Sequence, residues 1–302
     1  VTPLFRRPAR ADPAAEQRAE ESERRLAAGG LPVAASERLA ALATGGAAFG
    51  SDLEVSEYAL LGRLGITPIT LVMGSSIYHV GWQGGMGYTF AAGEIDFLSS
   101  GHNECRRLAL GRLLEEASTC GADAVVGVRI EQGGHDWAPG AVEFIAVGTA
   151  VRLPAALKSE RTVLTDLSGQ EYWKLCSAGV RPVGIAAHTS VYYVPASWQT
   201  QMAQGGGMFG SGWTNQELRD FTQGVYAARE TAMSYLSAQA RELDGHGVVG
   251  VKIDQHNSGH RVAGLGYERE DLIVTFNVIG TVIREEPGLV EELAPALATL
   301  SL

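Results

Sequence analysis

The chain has 302 residues, a formal net charge of −10, 45% hydrophobic residues and 19% charged residues. That is a soluble globular composition with room for two cores, and three cysteines without paired spacing exclude a disulfide framework and favour the cytoplasm. The acidic balance excludes the basic footprint that nucleic acid or an anionic membrane requires, and no apolar run nears the roughly 18 residues of a membrane span. Residues 1–50 read as a helical N-terminal arm. The stretch 6–28 is rich in Ala, Glu and Arg, as in a solvated helix, and Gly29-Gly30-Leu31-Pro32 stops it. Ser36 is placed to cap a second helix over 37–42, ended by Gly45-Gly46. Such an arm is partly ordered or docks on a partner or neighbouring subunit.

Residues 51–154 read β–α–β–β. The β-branched stretch 66–80 predicts a strand, and 94–120 a helix with Leu110, Leu113, Leu114 and Ala117 as its buried stripe. Strands follow over 124–130 and 142–153, separated by Gly133-Gly134 and Pro139-Gly140. Residues 162–286 have the same order. There Thr214-Asn215-Gln216-Glu217 has the form of a capping box, starting a helix toward Leu243 of about 30 residues and ~45 Å unless Gly224 interrupts it. In 287–302, Leu289, Val290, Leu293 and Leu297 fall at helical spacing and predict a tail helix packed on its own domain.

The second unit repeats the first. Residues 57–80 align without a gap on 171–194, with eight of 24 positions identical, among them Gly65/Gly179, Pro68/Pro182, Ser76/Ser190 and Tyr78/Tyr192. Residues 94–130 align on 217–253, keeping Gly101/Gly224, Arg106/Arg229, Ala109/Ala232, Leu113/Leu236 and VVGV at 125–128 and 248–251. GTAVR at 148–152 answers GTVIR at 280–284. Three colinear matches mean a duplicated domain of about a hundred residues, and two like units invite pseudo-symmetric packing and ring assembly. A three-stranded sheet with one helix covers one face, yet Phe144-Ile145-Ala146-Val147 and Leu272-Ile273-Val274 are apolar on both. The second face must lie on the sister repeat or another subunit.

Ala228-Arg229-Glu230-Thr231-Ala232-Met233, the GADAVVGV of 121–128 and the GTAV of 148–151 resemble the YbjQ-like family, labelled heavy-metal-binding. The likeness covers both repeats. It implies an α+β fold of two tandem dodecin-like β-α-β-β domains, each an antiparallel sheet on a long helix, assembling as pentameric homo-oligomeric rings. The string MGSSIYHVGW at 73–82 also resembles actinobacterial-type long forms. Glycine-rich inserts at 84–93 and 205–212 replace the family's usual GGR segment, so nothing known of that loop carries over.

Metal binding, which the family label implies, directs attention to two sets of residues read as hairpin tips: Asp254, His256 and His260, and Glu131, His135 and Asp136. Imidazole with carboxylate suits zinc or a similar divalent ion, but the two sets do not superpose, and solvated loops collect such residues anyway. Cys105, Cys120 and Cys176 read as small buried residues, the first two about 22 Å apart on one helix. The pattern Gly205-x-Gly207-x-x-Gly210 precedes a helix but not directly after a strand, so it is a weak dinucleotide signal. Arg106 and Arg229 read as a salt bridge or carbonyl cap at an interface, with anion contact as the alternative. Tyr78, Trp82, Tyr192 and Trp198, with Met86, Met208 and Phe209 in the inserts, read as interface anchors. No catalytic pairing or motif stands out, so the expectation is a non-enzymatic ring-forming scaffold or binding protein. A metal-binding protein and a carrier with pockets between subunits are the alternatives.

Overall fold

The computed structural model describes residues 12–44, 50–81, 91–134, 140–204, 215–264 and 267–290. The arm is a helical hairpin, α1 (Pro13–Ala27) and α2 (Val33–Ala43). The first repeat comprises α3 (Val55–Arg63), β1 (Thr67–His79), β2 (Gly93–Glu94), α4 (Asp96–Thr119), β3 (Ala124–Gly134) and β4 (Ala141–Arg152). The second comprises β5 (Val163–Leu164), α5 (Gly169–Ser177), β6 (Val180–Val194), α6 (Trp198–Gln204), α7 (Arg219–Glu242), β7 (Gly247–Gly264) and β8 (Tyr267–Glu285). The predicted order holds in both, and the chain is α+β with two sheets.

Each sheet has four strands where three were expected, in the orders β1-β4-β3-β5 and β2-β6-β8-β7. The extra strand is two residues long and comes across the boundary: β2 of the first repeat pairs with β6, and β5 pairs with β3 in parallel. Borrowed strands of this kind satisfy backbone groups that an edge would otherwise leave open. The VVGV strings mark β-bulges. Gly127 and Gly250 have φ of 64° and 65°, and the β3–β4 and β7–β8 registers shift there.

Cys105, Ala109, Leu113 and Ala117 form the inner line of α4, against Val72, Phe144, Ala146 and Ala150. Ala228, Ala232, Leu236 and Ala240 form that of α7, against Ala186, Val274, Phe276 and Val278. The predicted stripe therefore sits turned: Leu110 and Leu114 are only half-buried, because small residues let the helix settle closer to the sheet. At Gly74 that approach is extreme, since a Cβ there would lie 2.0 Å from the Ala109 carbonyl oxygen. The helix α7 has 24 residues and starts at Arg219 with Leu218 as N-cap and no side-chain cap, later than the predicted start at 214–217, of which Thr214 lies outside the described residues. Gly224 lies within it, where a Cβ would meet Val194 at 2.1 Å.

The short helices α3, α5 and α6 were not foreseen. Between the repeats, Leu61 of α3, Tyr172, Trp173 and Cys176 of α5, and Leu289 share a core with β3 and β4. Leu289 thus packs between the repeats rather than on its own domain alone as predicted, and residues 291–302 of the tail lie outside those described. In the arm, Pro32 is the N-cap of α2, and Ser36 lies inside the helix rather than capping it. The hairpin docks on its own repeat: Arg38 pairs with the buried Glu116 at 2.6 Å, and Leu31 and Leu39 are buried.

Candidate functional site

The most elaborate polar construction in the chain lies where α4 of the first repeat meets the outer edge of β6 in the second. Four successive outward positions of β6 are closed there. Tyr193 pairs with Gly93 of β2. The Val191 N–H donates to the Ser99 hydroxyl at 2.9 Å, and the Val191 carbonyl accepts from the Ile95 N–H at 2.7 Å. Thr189 is held by the amide of Asn103, which accepts from its N–H and donates to its carbonyl, both at 2.9 Å. Ala187 is held in the same way by Gln239 of α7, at 3.0 and 3.1 Å. Side chains thus replace a neighbouring strand, which is how an edge is kept from pairing at random.

Arg106 anchors this edge. Its Nη1 donates to the Thr189 hydroxyl at 2.7 Å, its Nη2 to Asn103 Oδ1, and its guanidinium lies 5.5 Å from the centre of the Phe144 ring. The Thr189 hydroxyl in turn donates to Asn277 Oδ1 of β8 at 2.6 Å. Arg106 is buried without a carboxylate partner among the described residues, and that burial pulls its guanidinium down to about 10. Its partners are a hydroxyl, the Asn103 amide oxygen and a ring, where the sequence points to a salt bridge or carbonyl cap at an interface, or to an anion contact.

A second polar tie, within the second repeat, forms at Asp166. Its carboxylate accepts from the Thr281 hydroxyl and pairs with Lys252 of β7 at 3.1 Å. The first repeat has the same device: Arg129 pairs with Asp52 at 2.7 Å, and the Asp52 N–H donates to the Thr149 hydroxyl at 3.1 Å. Asp52-Leu53 and Asp166-Leu167 extend the ungapped 57–80 alignment toward the N-terminus, a sequence signal that could have found this pair.

Of the clefts at the boundary, two bear on the candidate residues. One of about 860 Å³ between α4, β6 and α7 is lined by Glu94, Asn103, Arg106, His188, Tyr235 and Gln239. There the His188 ring stacks on Tyr235 at 4.1 Å between centroids, and burial, reinforced by Arg106, pushes its imidazole down to about 4. The other, about 340 Å³, lies between the two sheets and is lined by Glu131, Asp166, Lys252 and Asp254. Glu131 and Asp254 are thus brought to one cleft.

The histidines do not join them. His256 and His260 lie along β7, opposite Thr275 and Asp271 in the register, not at a tip. From Asp254 to His260 is six strand residues, about 20 Å, too far for one ion. His260 sits edge-on to Tyr193 at 6.3 Å. Among the described residues no group of three or more His, Cys, Asp or Glu is placed to hold a metal. Cys105 and Cys176 are fully buried and Cys120 half-buried; burial raises the first and takes Cys176 up to about 12. Tyr78 is 38% and Trp198 72% exposed, while Tyr192 is half-buried opposite Glu94. His135, Asp136, Trp82, Met86, Met208, Phe209 and the glycine pattern at 205–210 lie outside the described residues. No described helix is long and apolar enough to cross a membrane.

A family model described as "Putative heavy-metal-binding" matches residues 62–154 and 211–283. The encapsulin nanocompartment protein Rv1762c of Mycobacterium tuberculosis is 37% identical over 227 residues, 73% of this chain and 82% of that protein. A UPF0145 protein of Clostridium novyi is 40% identical over 91 residues, 29% of this chain and 86% of its own length. One of Thermotoga maritima is 36% identical over 101 residues, 33% of this chain and 91% of its own length. No solved structure matches the chain.

Proposed function

The chain belongs to the YbjQ-like family, with two tandem copies of its domain, and from that premise we propose that it is a non-enzymatic cytoplasmic scaffold that assembles with copies of itself into a ring. One observation carries the reading: the contact between the repeats joins unlike faces. The first repeat contributes the outer side of its helix α4, and the second contributes the edge and open face of β6 and β8. The complementary surfaces, the outer side of α7 and the open face of the first sheet, remain at the two ends. They carry Tyr226 at 61%, Ile77 at 55% and Met73 at 49% exposure, an apolar load unusual for a monomer. Contacts between unlike faces run head to tail and close as rings when the rotation permits.

The buried polar groups at the boundary hold a strand edge, which favours a structural role over catalysis. A relative named as an encapsulin nanocompartment protein is consistent with assembly. The test is native mass spectrometry with light scattering across a wide concentration range. A stable multiple of the 31.9 kDa chain, unchanged by a chelator, is expected. A 31.9 kDa species at every concentration would sink the proposal, and a chelator-labile metal holding the assembly together would move the reading to the family's metal description.

A further inference from the structure

The contact inside the chain is a template for one between chains. The ungapped alignments pair Ser99 with Thr222 and Arg106 with Arg229 on the helices. They pair Val191 with Ile77 and Thr189 with Ser75 on the strands. The strand partners are a hydrophobic residue and a hydroxyl in both repeats, and the helix partners a hydroxyl and an arginine in both. In the first repeat's helix this set is buried against β6. In the second repeat's helix it faces outward, with 45% of the Arg229 side chain exposed and paired only to its neighbour Glu230 among the described residues.

β1 is prepared to receive such a helix. It is a terminal strand of its sheet. Its lower edge is closed from within: the Leu71 N–H donates to the Gly50 carbonyl and the Met73 N–H to Glu116 at 2.9 Å. Glu116 is the alignment partner of Gln239, and Met73 that of Ala187, so the N–H at this level is closed by the same helix position in both repeats. Arg112 donates to the Ser75 carbonyl, the group that Asn103 serves at Thr189. Position 226, which aligns with Asn103, therefore needs no amide and carries a tyrosine. The outward N–H and carbonyl of Ile77, whose counterparts at Val191 are closed by Ser99 of α4 and by Ile95 just before it, meet no partner among the described residues.

We infer that α7 of one chain docks along the β1 edge of the next copy. The Thr222 hydroxyl accepts from the Ile77 N–H, Arg229 donates to the Ser75 hydroxyl, and Gln216-Glu217 adds beside Tyr78 and His79 as β2 adds to β6. This rests on the assembly proposed above and goes further in naming both surfaces and their polarity. The occupant is a second copy because the complementary surface exists, residue for residue, on the chain itself.

The experiment uses the full chain with Ile77→Cys and Thr222→Cys, alone and together, and separately with Arg229→Glu. Oxidation of the double variant is expected to give a ladder of covalent multimers on a non-reducing gel, with neither single variant doing so, because the contact is not self-complementary. Arg229→Glu is expected to shift most of the mass to a chain that keeps its circular dichroism. If the wild type assembles, yet the double variant forms no ladder and Arg229→Glu keeps the full mass, the inference is overturned while the assembly stands on another face. A wild-type monomer at all concentrations overturns both. Cross-linking by a single variant would make the contact two-fold and overturn the head-to-tail polarity alone.

Discussion

Arg106 and Arg229 occupy the same position in their two helices, yet one is buried against a neighbouring sheet and the other leaves 45% of its side chain in solvent. A residue repeated by duplication thus has a filled role in one copy and an open one in the other. Arg106→Ala should destabilise the chain by about 2–3 kcal/mol, because Thr189 and Asn103 lose a charged donor inside the boundary. Arg229→Ala should stay within about 0.5 kcal/mol of wild type in urea melts of the dissociated chain.

His188 makes acid stability testable. Its imidazole is held near 4 in the fold against 6.5 in the unfolded chain. Above 6.5 both states are neutral there, and it has no effect. Between 6.5 and 4 the unfolded chain takes up the proton and the folded one does not, so stability should fall by roughly 3 kcal/mol across that window and level off below it. Urea midpoints measured at each pH should show the slope, and His188→Gln should flatten that part of it.

Gly74 and His188 are alignment partners with opposite solutions to the distance between helix and sheet. At Gly74 the backbone of α4 touches the strand, whereas at His188 an aromatic stack with Tyr235 fills the space. Gly74→Ala should therefore force helix and strand apart and cost about 3 kcal/mol or more, read as a lower thermal midpoint. Ala187→Gly, on the neighbouring outward position, should cost about 1 kcal/mol.

The thiols should be inert in the fold. Cys176, taken up to about 12, and the fully buried Cys105 should resist alkylation at pH 8, with half-buried Cys120 slow as well. All three should react in denaturant, and mass spectrometry of the labelled chain counts them.

The duplication, the order of strands and the two long helices are legible in the sequence because each leaves a periodic or repeated trace. The boundary is not. Asn103 aligns with Tyr226, so comparing the repeats passes over the residue that does most to close β6. Arg106 and Arg229 were visible as a pair, but not that one lies buried with only neutral partners. The histidines of β7 drew attention through composition, and an 18-residue strand then spread them apart. The short helices α3 and α5 are each nine residues, too brief for periodicity to identify, and their burial depends on each other.

The internal contact also constrains counting. Each chain brings its units in joined pairs, so any circle closed through copies of that contact contains an even number of them. Five chains can close on it as a circle of ten units, but a circle of five units would have to separate the two joined repeats of one chain and leave its Arg106–Thr189 hydrogen bond unmade. Gene duplication would in this way have widened the circle and marked alternate junctions as different, giving every second seam its own chemistry to vary.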